Sequence, residues 1–136
     1  MVTVKTTVIA KTDIVEYTPR ISKLSEAELS KLLSDHQTFV SGIVTKFEGS
    51  IVKGEGDSFW IIFPSVTTAV LAAIEMHDAL RVMQAGRGEE KCLAIRVAIT
   101  VGDILHQEND IFGFAVNLLA RIETITPANE RIVTLT

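Results

Sequence analysis

The sequence predicts an α+β sandwich, one sheet with helices packed against it, on three observations. Short segments rich in β-branched residues alternate with longer stretches whose apolar residues recur at helical spacing. Their order, β, long α, ββ, α, ββ, α, β, interleaves the two element types rather than segregating them. And 136 residues, 47% hydrophobic and 22% charged, are enough for one compact domain with a core.

Each element has its own signal. Residues 2–10 (VTVKTTVIA) are β-branched and read as a first strand. Ser25 and Glu28 form a capping box. Behind it Leu29, Leu32, Leu33, His36, Val40, Ile43, Val44 and Phe47 make a helical stripe that Gly49 ends. Residues 50–53 and 58–63 are two short strands joined by the hairpin loop Gly54-Glu55-Gly56-Asp57. A second helix runs from about Ser65 to Ala85 with Val66, Val70, Ala73, Ile74, His77 and Leu80 on one face, closed by Gly86 and Gly88. Residues 92–101 (CLAIRVAITV) form the most hydrophobic strand, and residues 104–106 start a hairpin partner. A third helix from about Phe114 to Thr124 stops before Pro127, and residues 131–135 form a last strand.

Composition excludes several function classes. A net charge of −4, with no run of Lys or Arg, argues against a nucleic-acid groove or a membrane-surface patch. Any phosphate handled here belongs to a small molecule. The single cysteine, Cys92, allows neither an internal disulfide nor a cysteine-based zinc site. The start, MVTVKTTVIAKTD, has no signal-peptide core, and no apolar run is long enough to span a bilayer. The expectation is a soluble cytoplasmic domain, without direct membrane insertion, cut from a longer protein.

Two aspartates stand out. Asp13 lies just past the first strand and Asp57 in the hairpin loop, points that this topology can bring together at one end of the sheet. Carboxylates so placed repel unless a cation lies between them, and Mg²⁺ or Mn²⁺ is the expected partner. The competing reading is a turn-capping Asp13 and an ordinary hairpin Asp57. Further along, Asn117 and Arg121 are four apart and share one helix face, where an amide beside an Arg fork suits a triphosphate. An incidental Asn on a solvated face is the alternative. Lys53 and Asp110 could read a purine edge. Asp accepts from the exocyclic amine of adenine and Lys donates to the neighbouring ring nitrogen, a pattern that guanine reverses. Two exposed loop charges would look the same.

Together these segments resemble the catalytic domain of class III nucleotide cyclases, the adenylate and guanylate cyclase family, over nearly the whole chain. Thr12-Asp13-Ile14-Val15-Glu16-Tyr17-Thr18 is similar to the family's first metal motif. Lys53-Gly54-Glu55-Gly56-Asp57 is similar to its Lys-x-x-Gly-Asp hairpin. Asp110-Ile111-Phe112-Gly113, followed by Val116-Asn117 and Ala120-Arg121, is similar to its most specific motif. The resemblance implies a ferredoxin-like, cyclase-type sandwich with one mixed sheet. It implies that Asp13, Asp57 and the Ile14 carbonyl bind two divalent cations, that Lys53 and Asp110 read adenine, that Asn117 orients the ribose, and that Arg121 stabilises the pentavalent phosphorus. The implied reaction converts ATP to cyclic AMP and pyrophosphate. The implied assembly is a head-to-tail homodimer whose sites take Asp13 and Asp57 from one chain and the other four side chains from its partner.

Family domains continue past the strand ending at Thr136, and the part beyond supplies a basic residue to the triphosphate. Some members also carry a basic residue where this chain has Asp103. A non-catalytic cyclase-homology domain that binds nucleotide or a partner chain is therefore the second expectation. A diguanylate cyclase is a third, because Gly56-Asp57-Ser58-Phe59 is similar to that family's turn, although the Asn117/Arg121 helix is not expected there. His36, His77 and Trp60 are read as packed residues, His106 as exposed near a turn, and Cys92 as a small buried residue opening a strand.

Overall fold

The computed structural model describes residues 2–15, 22–86, 92–125 and 131–135. Glu16, Tyr17, Thr18, Gly88, Pro127 and Thr136, used above, lie outside them. In chain order the elements are β1 (Val2–Ile14), α1 (Glu26–Lys46), β2 (Ser50–Glu55), β3 (Ser58–Phe63), α2 (Val66–Met83), β4 (Ile95–Gln107), β5 (Asp110–Phe112), α3 (Phe114–Ile125) and β6 (Arg131–Leu135).

The sheet order is β2-β3-β1-β4-β5, all neighbours antiparallel, and β6 joins β4 in parallel. The expected mixed sheet is thus present. β1 and β4 form its spine and pair along their full lengths, from Val2 opposite Gln107 to Ile14 opposite Ile95. Alternation along these strands sorts side chains between two layers. Ala10, Ile14, Ile95, Val97 and Ile99 join Val40 and Val44 of α1 and Ala72 and Met76 of α2 in one core. Ile9, Ala98, Ile104 and Trp60 meet Ala115, Val116, Leu119 and Ile122 of α3 in a second core on the opposite face.

Local signals account for the helix ends. Ser25 accepts from the Glu28 amide and Glu28 returns the bond to the Ser25 amide, which starts α1 as expected. Ser65 and Thr68 make the same exchange at α2. Gly49 follows α1 where a Cβ would stand 2.8 Å from the Phe63 ring, too close for any side chain. Gly113, at φ 137°, turns β5 into α3, and its carbonyl accepts from the Asn117 amide.

Several expectations need correction. β1 runs to Ile14 and not residue 10, so Asp13 sits within the ladder opposite Arg96 rather than beyond it. The hydrophobic strand begins at Ile95, because the Gln84 side chain at the end of α2 occupies both backbone groups of Leu93. Cys92 therefore precedes the strand and is half-buried. Residues 104–106 continue β4, since β1 is long enough to pair with them, and the hairpin partner is β5. α2 turns Ala69, Ala72, Ala73, Met76 and Leu80 inward, so Ala73 and Leu80 of the expected face are buried while Val66, Val70, Ile74 and His77 are only half-buried. His106 is half-buried, its Nε2 2.9 Å from the Thr7 hydroxyl.

Candidate active site

The register of β1 against β4 aims Lys11, Asp13 and Arg96 at the face that α3 covers. Asp13 and Arg96 are direct cross-strand neighbours. Arg96 grips both carboxylate oxygens, with Nε 3.0 Å from Oδ1 and Nη2 2.7 Å from Oδ2. This is the fork geometry of a strong charge-assisted pair. It holds the guanidinium pKa above its usual value, against a smaller opposing effect of burial. Glu123 of α3 closes the cluster from above. Its Oε2 takes Lys11 Nζ at 3.3 Å, and its Oε1 lies 3.2 Å from Arg96 Nη2, off the line of a hydrogen bond. Burial, followed by the nearby Asp13, pushes the Glu123 carboxyl above its usual pKa.

The hairpin delivers Asp57 to the same strand end. Gly56, at φ 63°, makes the turn, and Asp57 Oδ2 accepts from the Ile14 amide at 2.7 Å. Burial raises the Asp57 pKa most, the Ile14 amide opposes that, and the charge of Asp13 raises it again. Asp13, Ile14 and Asp57 are thus brought together as expected, and the two carboxylates sense each other. His36 packs beneath the hairpin, 5.6 Å from the Phe59 ring and buried. Its pKa is lowered by burial and partly restored by Asp57 and Asp13.

Lys53 and Asp110 also meet. Lys53 Nζ lies 2.7 Å from Asp110 Oδ1 and 3.4 Å from Glu55 Oε1. The Asp110 hydrogen bond raises the Lys53 pKa, and the Lys53 hydrogen bond lowers that of Asp110. Trp60 is buried between the two ionic groups, with Lys11 Nζ 5.3 Å and Lys53 Nζ 5.9 Å from its ring centroid. Asn117 and Arg121 stand one turn apart on the exposed face of α3. No ion pair or hydrogen bond among the described residues joins them to Asp13, Asp57, Lys53 or Asp110.

A hard divalent cation fits the donor set. Asp13 and Asp57 offer carboxylate oxygens, and a cation, the Arg96 guanidinium, already stands at Asp13. No cluster of three or more His, Cys, Asp or Glu ligands occurs among the described residues, so remaining ligands would come from backbone, water or substrate.

Arg96 and Glu123 escaped the reading of the sequence. Their signal was there: one Arg inside CLAIRVAITV, and one Glu between Ile122 and Thr124 on a helix otherwise apolar toward the sheet. A charge in such a position needs a partner.

Comparison with known proteins agrees with this architecture. The profile of the "Adenylate and Guanylate cyclase catalytic domain" matches residues 3–136. An adenylate cyclase of Streptomyces griseus is 31% identical over 121 residues, 89% of this chain and 29% of that protein. The adenylyl cyclase CyaB of P. aeruginosa superposes with a TM-score of 0.87 at 26% identity, covering 98% of this chain and 79% of that one. An adenylate/guanylate cyclase/hydrolase from Silicibacter pomeroyi gives 0.87 at 25% identity, covering 98% and 77%. The chain spans 14% to 30% of the length of the curated relatives it matches, which include a Myxococcus xanthus protein named as a serine/threonine-protein kinase. No described helix is long and apolar enough to cross a membrane. With a profile match from residue 3 to the last residue, the chain belongs to the adenylate and guanylate cyclase catalytic-domain family.

Proposed function

We propose that the chain is the catalytic domain of an adenylate cyclase, converting ATP to 3′,5′-cyclic AMP and pyrophosphate. The observation that carries this reading is the Lys53–Asp110 pair. A donor and an acceptor lie 2.7 Å apart with side chains 30% and 39% exposed, open enough to meet a base. Adenine satisfies both groups, whereas guanine sets donor against donor and acceptor against acceptor.

Asp13, Asp57 and the Ile14 carbonyl are the residues to hold two divalent cations, Mg²⁺ or Mn²⁺. Such ions supply charge stabilisation for the attacking and leaving oxygens. The ribose 3′-hydroxyl attacks the α-phosphorus in line, loses its proton, and expels pyrophosphate. Asn117 orients the ribose and Arg121 faces the charge that builds at phosphorus. Among the described residues these two make no hydrogen bond or ion pair with the aspartates, which favours a head-to-tail homodimer with each site shared between subunits. An exposed apolar row supports that assembly. Val4 and Phe112, both cross-strand partners of the half-buried Leu105, are 62% and 47% exposed. Cytoplasmic placement, where ATP is available, follows from the same reading.

Incubating the chain with ATP or GTP and Mn²⁺ tests it. Cyclic AMP from wild type, with an Asp57→Ala loss of roughly a hundred- to a thousand-fold, is expected. Mixing Asp57→Ala with Arg121→Ala should restore one intact site per mixed dimer. Cyclic GMP as the main product would overturn the substrate. Nucleotide binding without any product would leave a binding domain in place of an enzyme.

A further inference from the structure

Three parts of the molecule lie outside the proposed chemistry: the His106–Thr7 contact beside Lys5, the buried His36, and the Lys11–Glu123–Arg96 cluster. The last has the most physical content. Lys11, Arg96 and Glu123 have side chains 17%, 24% and 4% exposed, and enclosed charges of this kind cost stability unless the arrangement is specific.

We propose that Arg96 is a built-in counter-cation that locks Asp13 while no metal is bound, and that a divalent ion gains Asp13 only by moving the guanidinium onto Glu123. The inference rests on the metal reading of Asp13 and Asp57. Two hydrogen bonds engage both oxygens of Asp13, and although each oxygen keeps a second lone pair, a divalent ion about 2.0–2.6 Å from either oxygen would repel the guanidinium bonded to the same carboxylate. Asp57 is not held in this way: its Oδ2 takes the Ile14 amide, and no Lys or Arg forms an ion pair with it among the described residues.

The receiving position is already built. Glu123 Oε1 is buried and lacks an aligned donor, although Nη2 of Arg96 is only 3.2 Å away. A small rotation of the guanidinium would close that bond while freeing Asp13. Lys11 holds the other oxygen of Glu123 and keeps the carboxylate aimed at Arg96. Arg96 is thus a positioning residue that sets the affinity of the metal site, and Glu123 is its second resting place. Because Glu123 lies two residues after Arg121, occupancy of the metal site would also be felt at the helix carrying the phosphate-facing Arg.

Mn²⁺ binding to the nucleotide-free chain, read from the EPR signal of the free ion at one pH and ionic strength, tests the lock. Arg96→Lys keeps the charge but cannot span both oxygens, so its affinity should rise roughly threefold. Arg96→Gln should raise it roughly tenfold, the scale of one charge-assisted hydrogen bond. A purely structural role would lower affinity in both. Glu123→Gln removes the better acceptor for the displaced guanidinium, and binding should weaken. Asp57→Ala added to Arg96→Lys should abolish the gain. An Arg96→Lys affinity equal to or below that of wild type overturns the lock, even where Arg96→Gln binds more tightly through charge alone. A gain that survives Asp57→Ala overturns it as well. If Arg96→Gln melts before it can be titrated, Arg96→Lys decides the question. Absence of Mn²⁺ binding in wild type and all variants overturns the metal reading together with the lock, whereas equal binding in all of them overturns the lock alone.

Discussion

Two ion pairs of the same length differ in how far they are enclosed. Arg96 and Asp13 face each other across the central ladder at 2.7 Å, with side chains 24% and 13% exposed and Glu123 above them. Lys53 and Asp110 also lie 2.7 Å apart, but at 30% and 39% exposure and on short outer strands. The enclosed pair is placed by strand register, and the one acceptor that stands ready for a displaced guanidinium, among the described residues of that cluster, is Glu123. The open pair can exchange its partner for a ligand at little cost, because water screens it already. Bond length does not separate the two pairs; enclosure does.

Breaking each pair would sharpen the contrast. Arg96→Ala leaves Asp13 without its cation beside Glu123, which keeps only Lys11. A fully buried pair loses about 3–5 kcal/mol on such truncation, and with Arg96 a quarter exposed we expect about 2 kcal/mol, read as a lower denaturation midpoint at unchanged slope. Asp110→Asn keeps the shape of the open pair but adds a donor. The ATP-over-GTP preference in kcat/KM should fall roughly tenfold while the melting curve stays in place. An intact preference would remove Asp110 from base reading.

A smaller effect separates the two regions by pH. Burial lowers the His36 pKa, so the unfolded chain binds a proton first as pH falls through about 6.5. Stability from neutral His36 is present above that value and declines as pH drops toward the folded pKa. Melting temperatures in metal-free buffer should therefore fall from pH 7.5 to 5.5 by more in wild type than in His36→Leu. Parallel curves would show that His36 does not titrate in this window. The smallest change belongs to Lys53→Ala, for which thermal melting should be nearly unaltered. A marked loss there would erase the distinction between the pairs.

Much of this arrangement is legible in the residues. Ser25 with Glu28, the Gly56-Asp57 turn and the β-branched start of β1 are local signals, and the elements they mark form where expected. The Lys53–Asp110 contact joins residues 57 positions apart in sequence, and complementary chemistry against one purine edge was enough to pair them. Register is less legible. Nothing local says that β1 extends to Ile14, and that extension places Asp13 opposite Arg96. Similarly, Gln84 halting the ladder below Ile95 is a tertiary contact between a helix end and a loop, which no periodicity encodes. The inward face of α2 is turned from the expected stripe toward Ala69, Ala72 and Met76, because a helix with apolar residues at most positions fits more than one face by spacing alone.

β4 has one outer edge, and two strands divide it. β5 takes Leu105–Gln107 in the antiparallel sense and β6 takes Val97–Val101 in the parallel sense. The helix bearing Asn117 and Arg121 lies between those strands in the chain, so it leaves from and returns to the same strand. Its start is tied directly to the sheet, because Gly113 turns β5 into it and accepts the Asn117 amide. Under the shared-site proposal, Asn117 and Arg121 would thus reach a second copy from a helix whose first turn is already anchored to β5.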